Sequence, residues 1–143
     1  MNCVFCELPA VKERAVMKSA HSFAFLTNIP ITIGHTLVVP NRCVKNIEDL
    51  SDEEVLDFLE LRLKITKALR KTFGVTGFNY AWNEGKMAGQ SVPHLHLHIV
   101  PRKEGDAGVY EYEPRKFLYR TGERDKTPEE ELKTIAKMIA EHK

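Results

Sequence analysis

No segment of this 143-residue sequence approaches the ~20 consecutive apolar residues needed to cross a bilayer, so no membrane-spanning helix is expected. The opening residues, MNCVFCELPA, have no apolar run of signal-peptide length, and the expectation is a cytoplasmic protein without a membrane partner. Net charge is nearly absent too. Lys and Arg total 21 against 20 Asp and Glu, and the resulting +1 gives no global field that would gather nucleic acid. Any attraction for phosphate therefore has to be local. There is no Gly-rich P-loop or dinucleotide fingerprint, which argues against kinase or ATP-driven motor chemistry. Internal repeats and low-complexity tracts are missing as well. Cysteine is scarce, at three residues. That odd number does not suit a disulfide scaffold, and the Cys3-x-x-Cys6 pair in a reducing compartment points to a metal or redox site.

What is present fits one compact domain, with 43% hydrophobic and 29% charged residues. Residues 15–18 and 22–27 read as two short strands, the second alternating around Phe23 and Phe25, with a turn between them. Pro30 and Gly34 mark a loop that leads into a third strand, HTLVVP, with His35 at its start. Ser51 and Glu54 form a capping box, and no Pro or Gly follows until Gly74, which predicts a long helix over 52–73. GFNYAW at 77–82 and HLHLHIVP at 94–101 read as strands, separated by a loop rich in small and turn-forming residues. Residues 102–126 are charged and dotted with Gly and Pro, and read as an extended arm. Thr127, Pro128 and Glu130 open a last helix, with Leu132, Ile135, Ala136 and Ile139 at helical spacing. The fold class is α+β with mainly antiparallel strands.

The HLHLH strand carries the chemistry. Side chains alternate across a strand, so His94, His96 and His98 share one face while Leu95, Leu97 and Ile99 share the other. Same-face neighbours stand ~6.5 to 7 Å apart, close enough for one phosphate to touch more than one imidazole. With an unperturbed pKa of ~6.5, imidazole offers a neutral nucleophile near pH 7 beside a neighbour able to stabilise charge. In the preceding loop Gly85 and Gly89 let backbone amides approach an anion, and Asn83, Gln90 and Ser91 offer polar contacts. Arg102 and Lys103 add charge after the strand. A metal site is the competing reading, because His at i and i+2 on a strand is common ligand geometry. Spacing alone weighs the two equally.

The segment GQSVPHLHLHIVPR, together with the N-terminal CxxC, IGHTLVVP, the LSDEE helix start and NEGKMAGQS, resembles the histidine triad (HIT) family. The resemblance covers residues 3–103 and implies one HIT domain over 1–143, with 104–143 forming a C-terminal arm and helix. It implies a five-stranded, mainly antiparallel sheet with one long helix, extended across a homodimer. It also implies a hydrolase or transferase acting on the α-phosphate of nucleotides. His96 would be the nucleophile forming a nucleotidyl-histidine intermediate, His98 would contact the phosphate and leaving-group oxygen, and His35 would support them. Asn83, Gln90 and Ser91 would hold the phosphate, and Asn28 would lie beside the ribose. NEG and GQS resemble the phosphoramidase branch, whereas PRKEGD resembles the dinucleoside triphosphate hydrolase branch. Tyr110 and Tyr112 could stack on a base.

Some family members carry a structural zinc held by the CxxC pair, by a histidine after the VxP strand and by the first histidine of the triad. Here Cys43 stands where that third ligand would be, so the implied set is Cys3, Cys6, Cys43 and His94, a closed tetrahedral combination for zinc. A redox role for Cys3 and Cys6 is weaker, because the pair precedes a hairpin and is not expected to open a helix. No organic cofactor is expected. Two further readings remain open: a metal-dependent hydrolase using the three histidines, and a nucleotide-binding scaffold with little catalysis.

Overall fold

The computed structural model describes residues 3–106 and 126–143. Two short helices, α1 (Val4–Glu7) and α2 (Pro9–Glu13), precede the hairpin of β1 (Ala15–Lys18) and β2 (Ser22–Leu26). Then come β3 (Thr36–Pro40), the long α3 (Asp52–Phe73), β4 (Gly77–Ala81), β5 (Leu97–Arg102) and α4 (Glu129–Ala140). The five strands form one sheet in the order β1-β2-β3-β5-β4, antiparallel throughout, as the sequence patterning led us to expect.

Local sequence explains α3 almost residue by residue. The Ser51 side chain accepts from the Glu54 amide while the Glu54 carboxylate accepts from the Ser51 amide, satisfying two otherwise orphaned donors. Gly74 ends the helix in the left-handed conformation, at φ 62°, where a Cβ would be strained. The buried face includes Phe58, Leu61, Ile65, Ala68 and Leu69, and it packs on one side of the sheet against Ala24, Leu26, Val38, Leu95, Leu97 and Ile99. Leu132, Ile135, Ala136 and Ile139 of α4 join the same core. Each fully buried Leu or Ile there contributes about 1.5–3 kcal/mol relative to an exposed position.

The other sheet face carries a smaller cluster of Phe25, Leu37 and Val39, covered by Cys3, Phe5 and Val11. The candidate site lies on this face. β4 is an edge strand whose outer side has no strand partner among the described residues. α3 exposes Leu56, Leu59 and Leu63 at helical spacing, and its Arg62 guanidinium lies over the half-exposed Tyr80 ring of β4.

Three expectations are corrected. Residues 4–13 form two short helices, so the cysteine pair does open a helix: Cys3 is the N-cap of α1. The strand expected from His94 begins only at Leu97, because the His94 amide turns back to the Val92 carbonyl and the Leu95 amide donates to Val44, outside the ladder. At α4, Pro128 and not Thr127 is the N-cap, and no side chain caps it; the Thr127 amide instead donates to the Asn28 carbonyl. Tyr110, Tyr112 and most of the 102–126 arm lie outside the described residues. Arg102, however, ends β5.

Candidate active site

β3 and β5 lie side by side with Leu37 opposite His98, which brings His35, just before β3, against the histidine strand. The approach depends on Gly34. Its φ is +86°, and a Cβ there would sit 3.0 Å from both Leu69 and Phe73. His35 is buried, and its Nε2 lies 3.0 Å from Nδ1 of His98. The His96 and His98 rings stand 5.1 Å apart, centroid to centroid, in an edge-on arrangement.

Hydrogen bonds to the backbone fix where the protons are. The Ile31 amide donates to Nδ1 of His35 at 3.0 Å, and an amide cannot accept. Neutral His35 therefore carries its proton on Nε2 and donates it to Nδ1 of His98. His98 in turn must carry its own proton on Nε2. On the neighbouring ring, Nδ1 of His96 lies 2.8 Å from the His94 carbonyl, which can only accept. The lone pair of His96 is thus on Nε2. One ring presents an electron pair and its neighbour presents an N–H, which is the pairing that attack on a phosphorus and stabilisation of a departing group require.

His94 has different partners. Its ring is fully buried, Nε2 donates to the Pro40 carbonyl at 2.8 Å, and Nδ1 lies 3.1 Å from Cys3 Sγ and 3.5 Å from Cys6 Sγ. Burial lowers its pKa, helped by neighbouring His96 and opposed by the Pro40 hydrogen bond. The ligand atoms of Cys3, Cys6, Cys43 and His94 all fall within 4.8 Å of one another. Ligands placed tetrahedrally about 2.3 Å from an ion stand roughly 3.7 Å apart, so the four donors fit a zinc with small adjustments. The carbonyl on Nε2 supplies the outer partner that orients a ligating imidazole. Burial raises the Cys3 thiol, but hydrogen bonds from Cys43, Cys6 and two backbone amides outweigh it and lower the pKa. Cys6 is pushed up to about 12, by burial and by proximity to Cys3. Thiols ligate a metal only as thiolates, so an ion bound here would displace protons from the cluster.

The remaining candidates are less converged. Asn83 follows two residues after Ala81, the cross-strand partner of His98. The Gln90 side chain binds within its own neighbourhood, accepting from the Gly85 amide and donating to the Lys45 carbonyl. The amides of Gly85 and Gly89 are likewise used inside the loop, on Gln90 Oε1 and the Lys86 carbonyl. Ser91 is exposed and Asn28 half-buried. Arg102 is held by Asp106 in a bidentate pair. Two contributors were not anticipated from sequence: the Ile31 amide and Phe5. Phe5 was legible only as an apolar residue inside CxxC, and nothing in the sequence marks Ile31.

A five-stranded antiparallel sheet presenting adjacent imidazoles of fixed tautomer defines the class: a histidine-based site on an α+β scaffold. The chain belongs to the HIT domain family, whose profile matches residues 9–105. It is 38% identical over 121 residues to the nitrilase and fragile histidine triad fusion protein NitFhit of Caenorhabditis elegans, covering 85% of this chain but 26% of that one. It is 37% identical to adenosine 5'-monophosphoramidase hnt1 of Schizosaccharomyces pombe, over 76% of this chain and 80% of that protein. It is 35% identical to bis(5'-adenosyl)-triphosphatase of Dictyostelium discoideum, over 75% and 68%. Among solved structures, a Zn-bound histidine triad family protein from Mycobacterium smegmatis superposes with a TM-score of 0.74 at 30% identity, covering 99% and 95% of the two chains.

Proposed function

We propose that this protein is a nucleotide hydrolase that cleaves at the α-phosphorus through a covalent nucleotidyl-His96 intermediate. The observation that carries the reading is the opposed tautomers of the neighbouring rings, with the electron pair of His96 on Nε2 and the proton of His98 on Nε2. Nε2 of His96 attacks phosphorus, and the leaving group departs with its bonding pair. The Nε2–H of His98 stabilises the charge that develops on the departing atom. Water then attacks the same phosphorus and releases one proton to bulk water, while the P–N bond breaks and its electrons return to Nε2. During this sequence the Nδ1–H of His96 stays on the His94 carbonyl, which stabilises the ring while it bears the nucleotide. His35 acts through His98 by holding its tautomer. Asn83 and Ser91 are the proposed phosphate contacts beside His98, with Gln90 shaping their loop and Asn28 beside the ribose. Similarity to a phosphoramidase and to a dinucleoside triphosphatase supports a nucleotide substrate with a leaving group on Pα.

Cys3, Cys6, Cys43 and His94 would hold a zinc ion, supported by their donor set and spacing. Bound there, zinc supplies a cross-link between the N-terminus, the segment after β3 and the histidine strand. Both nitrogens of His94 are engaged by Pro40 and the cysteines, which leaves His96 and His98 for phosphate. We further propose one cytoplasmic domain over residues 1–143 that dimerises through the open β4 edge and the exposed leucines of α3. Neither nucleic acid nor membrane is a partner in this reading.

The test is mass spectrometry of rapidly quenched protein mixed with an adenosine phosphoramidate or a diadenosine polyphosphate. A transient adenylyl adduct on wild type, absent from His96→Ala, is the expected result. Full turnover by His96→Ala would sink the proposal.

A further inference from the structure

Phe5 joins two sites that the chemistry above treats separately. It lies between Cys3 and Cys6, and it is buried. Its ring stands 5.1 Å from the His96 ring at an interplanar angle of 74°, and 5.8 Å from the His94 ring at 59°. On its other side it packs on Phe25 at 5.2 Å. An aromatic edge held against an imidazole restricts the tilt of that imidazole, and such ring pairs are worth about 0.5–1.5 kcal/mol beyond their buried area.

What holds Phe5 in this pose is not its own helix. α1 has four residues and no side-chain cap, and one turn of helix is unstable alone because nucleation fixes several dihedrals for very few hydrogen bonds. The turn is therefore anchored by its tertiary contacts: the Cys3 and Cys6 side chains on His94, and Phe5 on the sheet. A second link runs through the backbone, since the carbonyl of His94 fixes the His96 tautomer. Ordering of the Cys/His cluster thus reaches the His96 ring by two short routes, one through Phe5 and one through the His94 carbonyl.

We propose that Phe5 is a positioning residue for His96, and that it makes formation of the nucleotidyl-histidine depend on metal occupancy of the Cys3, Cys6, Cys43 and His94 cluster. The inference rests on the reading of His96 as nucleophile and of the cluster as a zinc site. Losing either the ion or the ring leaves His96 its lone pair but widens the range of angles from which it meets phosphorus. Misplacement of that kind lowers the rate of the attack step without removing the nucleophile.

The experiment is a cycle of four proteins: wild type and Phe5→Leu, each zinc-loaded and chelator-stripped, with metal content measured directly. Leucine keeps the site apolar and filled while removing the aromatic edge. If Phe5→Leu fails to fold, as judged by circular dichroism, Phe5→Met takes its place. Three quantities are read: the single-turnover rate of adenylyl-His96 formation, KM, and the 15N resonances of the His96 ring without substrate. Expected is a roughly tenfold slower adduct formation on stripping the wild type, with a shifted or broadened His96 Nδ1 resonance. Loaded Phe5→Leu should show a similar loss with one equivalent of zinc retained, and stripping it should add little more. Additive losses, or a change confined to KM, overturn the inference while leaving the hydrolase reading intact. No adduct in zinc-loaded wild type overturns the nucleophile reading and this inference with it. Wild type that takes up no zinc overturns the metal site and the coupling, and leaves His96 to be judged by its adduct.

Discussion

His35 Nε2 donates to His98 Nδ1 across 3.0 Å, joining a residue just before β3 to the second residue of β5, 63 positions away. The proton on His98 is consequently governed by a backbone amide, that of Ile31, which no side-chain substitution at the site removes. Tautomer control by backbone ties the chemistry to the conformation of the β2–β3 loop, and Thr127, just before α4, holds that loop through the Asn28 carbonyl.

His98→Ala should therefore lower turnover by about 10² to 10⁴ with a poorly departing alkoxide or amine, the range for loss of acid-type assistance. With a leaving group already stable as an anion, the loss should shrink to a small factor. His35→Ala should show the same pattern more weakly, because His98 keeps its place but loses its enforced tautomer. Steady-state rates across a leaving-group series check this, and equal losses across the series would contradict it.

The Cys/His cluster predicts one equivalent of zinc per chain by elemental analysis. Cys43→Ala should reduce that stoichiometry and lower the melting temperature, because the segment after β3 is then no longer tied to His94. Zinc should also dissociate as pH falls, since thiolates and imidazole bind only when deprotonated. Cys43→Ala with full zinc content and unchanged melting would remove Cys43 from the ligand set.

Glu54 supplies a pH signature. Hydrogen bonding to Arg42 first, with the Ser51 amide next, depresses its pKa from 4.5 to about 2. A carboxylate with a depressed folded pKa contributes stability that is complete above its unfolded value and is lost as pH falls through the folded one. The stability contributed by Glu54 should thus decline between about pH 4.5 and pH 2. Glu54→Gln should flatten that part of the curve measured by denaturant unfolding, and an unaltered slope would contradict it. Because the Arg42 side of the pair is solvent-exposed, added salt should weaken the effect.

The proposed dimer predicts that Leu59→Glu or Leu63→Glu yields monomers in light scattering. A charge placed on the exposed leucines of α3 would have to be desolvated at such an interface. Wild type that is monomeric at micromolar concentration would rule the interface out.

Elements governed by near neighbours were legible without the structure. The bounds of α3 follow from Ser51, Glu54 and Gly74, all acting within a turn of the helix end. The β1–β2 hairpin and β3 follow from alternation and from turn residues. The shared side of His96 and His98 follows from the two-residue period of a strand. α1 and α2 were not legible, because four or five residues carry no periodicity and owe their helix to packing on the sheet.

Sequence alone thus determined which residues could do chemistry: alternating imidazoles and three thiols. Tertiary structure decided how they divide. The sheet order β1-β2-β3-β5-β4 sets β3 beside β5, which brings His35 onto His98 and the segment after β3 toward His94. On the side shared with His96 the His94 ring is taken up by cysteines up to 91 positions away, while its carbonyl orients His96. Periodicity acts over a few residues, whereas the partner of each imidazole nitrogen is chosen by whichever backbone amide or carbonyl, thiol or neighbouring ring the fold brings within hydrogen-bond distance.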